Sequence, residues 1–88
     1  MEQRIGTITV LISDRSRAGE VNHLLSLHSD IILCRQGLPF HDRPVAVISL
    51  IVAGAVDRIN ALTGRMGRID GVECKATLTK YTSQEQGI

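Results

Sequence analysis

The sequence has no tryptophan, one tyrosine and one phenylalanine, so it lacks the aromatic platforms on which single-stranded nucleic acid stacks. Charge of one sign is also missing. Ten Lys and Arg stand against nine Asp and Glu, a formal charge of +1, which supplies no polybasic field for phosphate contacts. Direct nucleic-acid binding is not expected. The longest apolar run, Val45 to Val56, is broken by Ser49 and Gly54 and falls short of the roughly 18–20 residues that cross a bilayer. Residues Met1 to Thr7 lead straight into an alternating pattern without a basic stretch followed by an apolar one. No membrane contact is expected, and a reducing cytoplasm is the expected compartment. Two cysteines, Cys34 and Cys74, are too few and too far apart for a disulfide framework or a zinc knuckle.

What is present is a folding composition: 88 residues, 43% hydrophobic and 22% charged, the balance of one globular domain. The expected domain runs over 1–82, with a polar tail at 83–88. From Ile5 to Ser13, Ile8, Val10 and Ile12 alternate with Thr7, Thr9 and Leu11, a strand. Asp14-Arg15-Ser16 breaks the alternation. Val21, Leu24, Leu25 and His28 then follow helical spacing, with Asp14 or Ser16 as cap and an end near Ser29-Asp30. Ile31 to Gln36 reads as a second strand, and Gly37-Leu38-Pro39 with Asp42-Arg43-Pro44 as a loop.

Val45 to Val52 is apolar at both alternating sets except Ser49, the mark of a strand with neighbours on both sides. Ala55, Ile59, Leu62, Met66 and Ile69 predict a second helix, stopped by Asp70-Gly71. A final strand places Val72, Cys74, Ala76 and Leu78 on one face, alternating with Glu73, Lys75, Thr77 and Thr79. The order βαββαβ predicts an α+β fold, a ferredoxin-like sandwich with an antiparallel sheet in the order 4-1-3-2 and both helices on one face. The opposite face, carrying Thr7, Thr9 and Leu11, then needs cover, and a second copy is the expected partner. A tolerated, threonine-rich exposed face is the alternative.

With Asp14 and Gly19 at the first strand-to-helix turn, the helix Val21-Asn22-His23-Leu24-Leu25 and the strand Ile31-Ile32-Leu33, the chain resembles the ACT-like regulatory domains. It is more similar still to the iron-only hydrogenase system regulators, a family related to the ligand-binding domain of nickel-responsive repressors. That likeness is carried by Val21-Asn22-His23-Leu24-Leu25, Gly37-Leu38-Pro39, Asn60-Ala61-Leu62-Thr63-Gly64-Arg65-Met66-Gly67 and Ile69-Asp70-Gly71-Val72-Glu73-Cys74-Lys75, and it spans roughly residues 3–80 of the chain. The resemblance implies a regulatory module. The repressors' DNA-reading segment has no counterpart in the sequence, so a role in transcription would run through a partner protein.

The family link makes metal worth testing on the residues. His23, His28, Cys34, His41 and Cys74 are the available ligands, but no His-x-His pair occurs. His23 and His28 diverge by about 140° around a helix and cannot share an ion within one chain. No metal and no cofactor are expected; His28 ends the apolar stripe and His41 lies in a loop. Cys34 and Cys74 fall on opposite edges of the expected sheet, roughly 14 Å apart, and read as buried hydrophobes that form no disulfide. The acids Asp14, Asp30, Asp42, Asp57 and Asp70 are dispersed, and no nucleophile elbow or His-Glu-x-x-His helix is present. The chain does not read as an enzyme.

Three features remain as binding candidates. Asp14, Arg15, Ser16 and Gly19 begin the first helix, where free backbone N–H groups hold a carboxylate or phosphate; this is the expected site for a small anionic or amino-acid-like ligand. Arg58, Arg65 and Arg68 line one side of the second helix, either as a contact for an anion or partner protein or as a solvated face. Gly64 and Gly67 each cost about 1 kcal/mol in a helix interior, which points either to a close backbone approach or to fraying at the helix end.

Overall fold

A computed structural model describes residues 3–83. Strand β1 spans Gln3–Ile12, helix α1 Ala18–Leu27, strand β2 Ile32–Pro39, strand β3 Ala46–Gly54, helix α2 Val56–Met66 and strand β4 Val72–Ser83. Short 3-10 turns at Arg15–Arg17 and Ser29–Ile31 flank α1. All pairings are antiparallel and the sheet order is β2-β3-β1-β4, which is 4-1-3-2 counted from the other edge. The apolar character of β3 on both sets of side chains follows from this place between β2 and β1.

The alternation in β1 sends Ile8, Val10 and Ile12 into the interior and leaves Thr7 and Thr9 exposed. Their cross-strand partners follow suit: Ile8 faces Leu50 and Val10 faces Ile48, all buried. Val21 and Leu25 of α1 and Ile59, Leu62 and Met66 of α2 join the same cluster. Burying each such side chain contributes about 1.5–3 kcal/mol, so one apolar cluster between sheet and helices carries the stability. His28 closes the α1 stripe, buried, with Nδ1 donating to the Leu24 carbonyl at 3.0 Å.

Several boundaries differ from the sequence reading. Gly37-Leu38-Pro39 continues β2 rather than forming a loop, because β3 offers Ile48, Val47 and Ala46 as ladder partners. The connection shrinks to residues 40–45, closed by the Phe40 N–H on the Val45 carbonyl at 3.1 Å. Helix α1 starts two residues later than Ser16, after a 3-10 turn. Helix α2 stops at Met66 with Gly67 as its cap, while Ile69 still packs on the core from the following turn.

β4 outruns the predicted strand and carries an irregularity between Arg4 and Gly6 of β1. The Thr79 hydroxyl donates to the Ile5 carbonyl at 2.7 Å and the Arg4 guanidinium donates to the Thr79 carbonyl, which stitch the bulge. The predicted tail at 83–88 falls outside the described residues except for Ser83, which ends β4.

Candidate functional site

Each strand-to-helix transition needs a partner for the amides that open the helix. At the end of β1 Asp14 provides it: its Oδ1 accepts from the Ser16 N–H at 3.1 Å and from the Ser16 hydroxyl at 2.7 Å. The Ser16 hydroxyl and amide hold the Asp14 carboxyl below its ordinary value. The Arg17 N–H donates to the Asp14 carbonyl at 3.0 Å, and the Ala18 N–H to the Arg15 carbonyl.

These bonds change the expected chemistry of the turn. The amides of Ser16, Arg17 and Ala18 already have acceptors, so an anion does not meet a row of free donors there. Gly19 is exposed as the second residue of α1, and a Cβ on it would meet nothing within 4 Å. Asp14 and Ser16 bond each other, Gly19 stands apart, and Arg15 points to a different element.

Arg15 reaches across to the β2–β3 loop, where its Nη2 donates to the carbonyls of Phe40 at 2.9 Å and Val45 at 3.1 Å. These are the two residues whose backbones close the loop. Arg15 also lines a shallow hollow of about 440 Å³ together with Phe40, His41, Asp42, Arg43 and Pro44. Arg43 lies 5.3 Å from the centre of the Phe40 ring and pairs with Asp42 at 2.9 Å. That pairing holds the Asp42 carboxyl below its usual value. The hollow thus offers two guanidiniums and an imidazole against one acid. Sequence reasoning singled out Arg15 but not His41 and Arg43 as its companions; the turn signal Asp42-Arg43-Pro44 was the available clue.

The turn is anchored from behind by Gly71. The Ser13 N–H and hydroxyl both donate to the Gly71 carbonyl, at 2.8 and 3.1 Å. Gly71 has φ +78°, the left-handed region that favours glycine.

The arginines of α2 do not act as one group. Arg58 is bidentate to Asp30, with both bonds at 2.8 Å, tying α2 to the turn after α1. Arg65 and Arg68 are exposed. Gly64 has open space around it and Gly67 ends the helix, so close backbone approach explains neither. Cys34 is exposed, a correction to the buried reading: it pairs in register with Ile51, itself exposed. Cys74 is half-buried, and burial pushes its thiol pKa up. Both cysteines are free, on the two outer strands. Among the described residues no three His, Cys, Asp or Glu side chains gather as a metal ion requires, and no helix is long and apolar enough to cross a membrane.

The structure is a small antiparallel α+β domain in which polar side chains meet at the Asp14–Ser16 turn and the 40–45 loop. The chain belongs to the TM1266-like family, described as "Iron-only hydrogenase system regulator, putative", whose model matches residues 4–76. Among solved structures it is similar to the uncharacterized protein TM1266 from Thermotoga maritima, at 37% identity and a TM-score of 0.84, covering 89% of this chain and 99% of that one. The de novo designed protein Foldit4 shares the fold alone, at 9% identity and a TM-score of 0.54, covering 90% of this chain and 98% of that one. No curated protein matches the chain.

Proposed function

We propose that this protein is a non-enzymatic, ACT-like regulatory module of the ferredoxin-like type, both helices on one face, that senses a small anionic or amino-acid-like ligand and assembles through the other face of its sheet. The observation that carries the sensing is Arg15, whose guanidinium bridges the carbonyls of Phe40 and Val45. A ligand carboxylate or phosphate that drew this guanidinium away would release the loop closure and leave a strong charge-assisted pair in its place. The 40–45 loop would then be untied from the Asp14–Gly19 turn, which is how binding at one turn becomes a change of surface.

The self-association rests on the exposed side of the sheet, where Leu38, Val47 and Leu11 stand side by side across three strands and Ile51 is 42% exposed. A regulatory role in an iron-only hydrogenase system is the family's description and the context in which the ligand would act. A thermal-shift screen of amino acids and nucleotides tests the sensing, since a ligand at 100 times its dissociation constant adds about 2.7 kcal/mol. A shift that Arg15→Ala abolishes supports the site; a uniformly flat screen sinks it. Thr9→Glu, a charge at the centre of the outer face, tests the assembly by lowering the mass in sedimentation.

A second reading is a protein-interaction subunit, favoured by Arg65 and Arg68, exposed near the end of α2. In that case the module docks on a metalloenzyme-maturation or transcription partner, and a flat ligand screen is its expected result.

A further inference from the structure

The hollow between Arg15 and the 40–45 loop holds more donors than a lone carboxylate needs. The only phenylalanine of the chain stands in this loop rather than in the apolar cluster, and the Arg43 guanidinium lies 5.3 Å from the centre of its ring. Asp42 grips the same guanidinium through Nε at 3.2 Å and Nη2 at 2.9 Å. Arg15 is fixed separately, since both of its bonds run from Nη2 to the carbonyls of Phe40 and Val45. Two cations are thus set at one hollow, each by its own anchors. Like charges repel, so the arrangement favours an anion between them.

Donors remain for it. Among the described residues, Nε and Nη1 of Arg15, Nη1 of Arg43 and the ring nitrogens of His41 have no bonding partner. The acid lining the hollow is Asp42, so two guanidiniums less one carboxylate leave a charge of +1.

We infer that the ligand of this hollow is a small phosphate monoester, with Arg15, His41 and Arg43 sharing its three terminal oxygens. The inference rests on the sensing role of Arg15 given above and specifies the ligand. A carboxylate is planar, and a single guanidinium meets both of its oxygens in a bidentate pair. A phosphate monoester carries about −1.5 to −2 charges at pH 7 and three strong acceptor oxygens, which suits three donor side chains around one hollow. The volume of about 440 Å³ lies in the range of small-molecule sites, with Phe40 and Pro44 as the lining for a short organic remainder.

The test is a titration of the intact protein at constant ionic strength, followed through the arginine Nε–H signals in NMR. The probes are inorganic phosphate, glycerol 3-phosphate, succinate, serine and a phosphoserine peptide. Both small phosphates should move the Arg15 and Arg43 signals together. Succinate, doubly charged but planar at each end, should bind roughly tenfold more weakly, the equivalent of one charge-assisted bond. Arg43→Gln should weaken glycerol 3-phosphate by roughly the same factor without lowering Tm, because the side chain is exposed. Arg65→Gln removes an equal charge from the end of α2 and should leave the affinity unchanged. Equal losses in the two variants would reduce the binding to net charge and overturn the inference. Tighter binding of the phosphoserine peptide than of glycerol 3-phosphate would overturn the small-molecule assignment. If succinate or serine moves Arg15 as readily as phosphate does, the phosphate assignment falls while the sensing role stands. If no probe moves either arginine, both fall.

Discussion

A Cβ on Gly71 would lie 2.6 Å from the Cβ of Asp14, so the turn before β4 is pressed against the turn after β1. Gly71 also holds φ +78°. Gly71→Ala should cost about 1–2 kcal/mol for the left-handed backbone alone, with the clash in addition. For a chain of this length each kcal/mol lowers Tm by about 4–8 °C, so calorimetry should find a loss of at least that size. An unchanged Tm would show that the two turns separate freely.

Gly19→Ala should do the opposite. The added methyl meets nothing and the residue is already helical, so restricting the unfolded chain should leave stability unchanged or raise it by about 0.4–1 kcal/mol. Because Gly19 also stands apart from Arg15, ligand-induced thermal shifts should survive this substitution. Loss of those shifts with the fold intact would return the binding site to the start of α1.

Arg15→Ala removes two bonds from a guanidinium to the carbonyls that close the 40–45 loop. The site is exposed, so the global cost should be about 1 kcal/mol. Hydrogen exchange at the Phe40 amide should speed up well beyond that of β3. Equal acceleration everywhere would mean that Arg15 supports the whole fold rather than the loop.

The Asp30–Arg58 pair gives a pH signature. Arg58 holds the Asp30 carboxyl below its ordinary value, so the folded state binds this proton less readily than the unfolded chain. The resulting stability is present above the ordinary carboxylate pKa of about 3.9 and is lost as pH falls through the lowered value. Asp30→Asn should therefore be less stable than wild type near neutrality and equal to it in strong acid. The difference should shrink with salt, because both side chains are exposed. A difference that persists below pH 2 would assign the effect to packing.

Thiol titration should be biphasic. Exposed Cys34 should react at once with a disulfide reagent, while Cys74, half-buried and with its thiol pKa pushed up by burial, should react far more slowly until denaturant is added. Two equal fast phases would contradict the burial of Cys74.

The six regular elements were legible because their periodicities are strong: Ile8, Val10 and Ile12 keep a period of two, while Ile59, Leu62 and Met66 keep the helical one, and all six are buried. Partner strands were harder to read. Gly37-Leu38-Pro39 has the composition of a turn, and only pairing with Ala46 to Ile48 makes it a strand. Cys34 was misplaced for a related reason, since burial on an edge strand depends on which sheet face the helices cover. In the candidate site, Arg15 was visible as a charge at a turn. Its role depends on the Phe40 and Val45 carbonyls, which are 25 and 30 residues away along the chain and leave no trace in local pattern.

β1 is made first and is flanked by β3 and by β4, with Ile12 opposite Val72 and Gln3 opposite Ser83. Such distant pairings close long loops before they gain contacts, which slows folding relative to helical domains. During synthesis β1 must wait with one side unpaired until the final strand has left the ribosome. A chain stalled before Val72 would therefore present the buried side of the sheet to solvent through an open seam beside β1, making the nascent protein a client for holding chaperones at that stage.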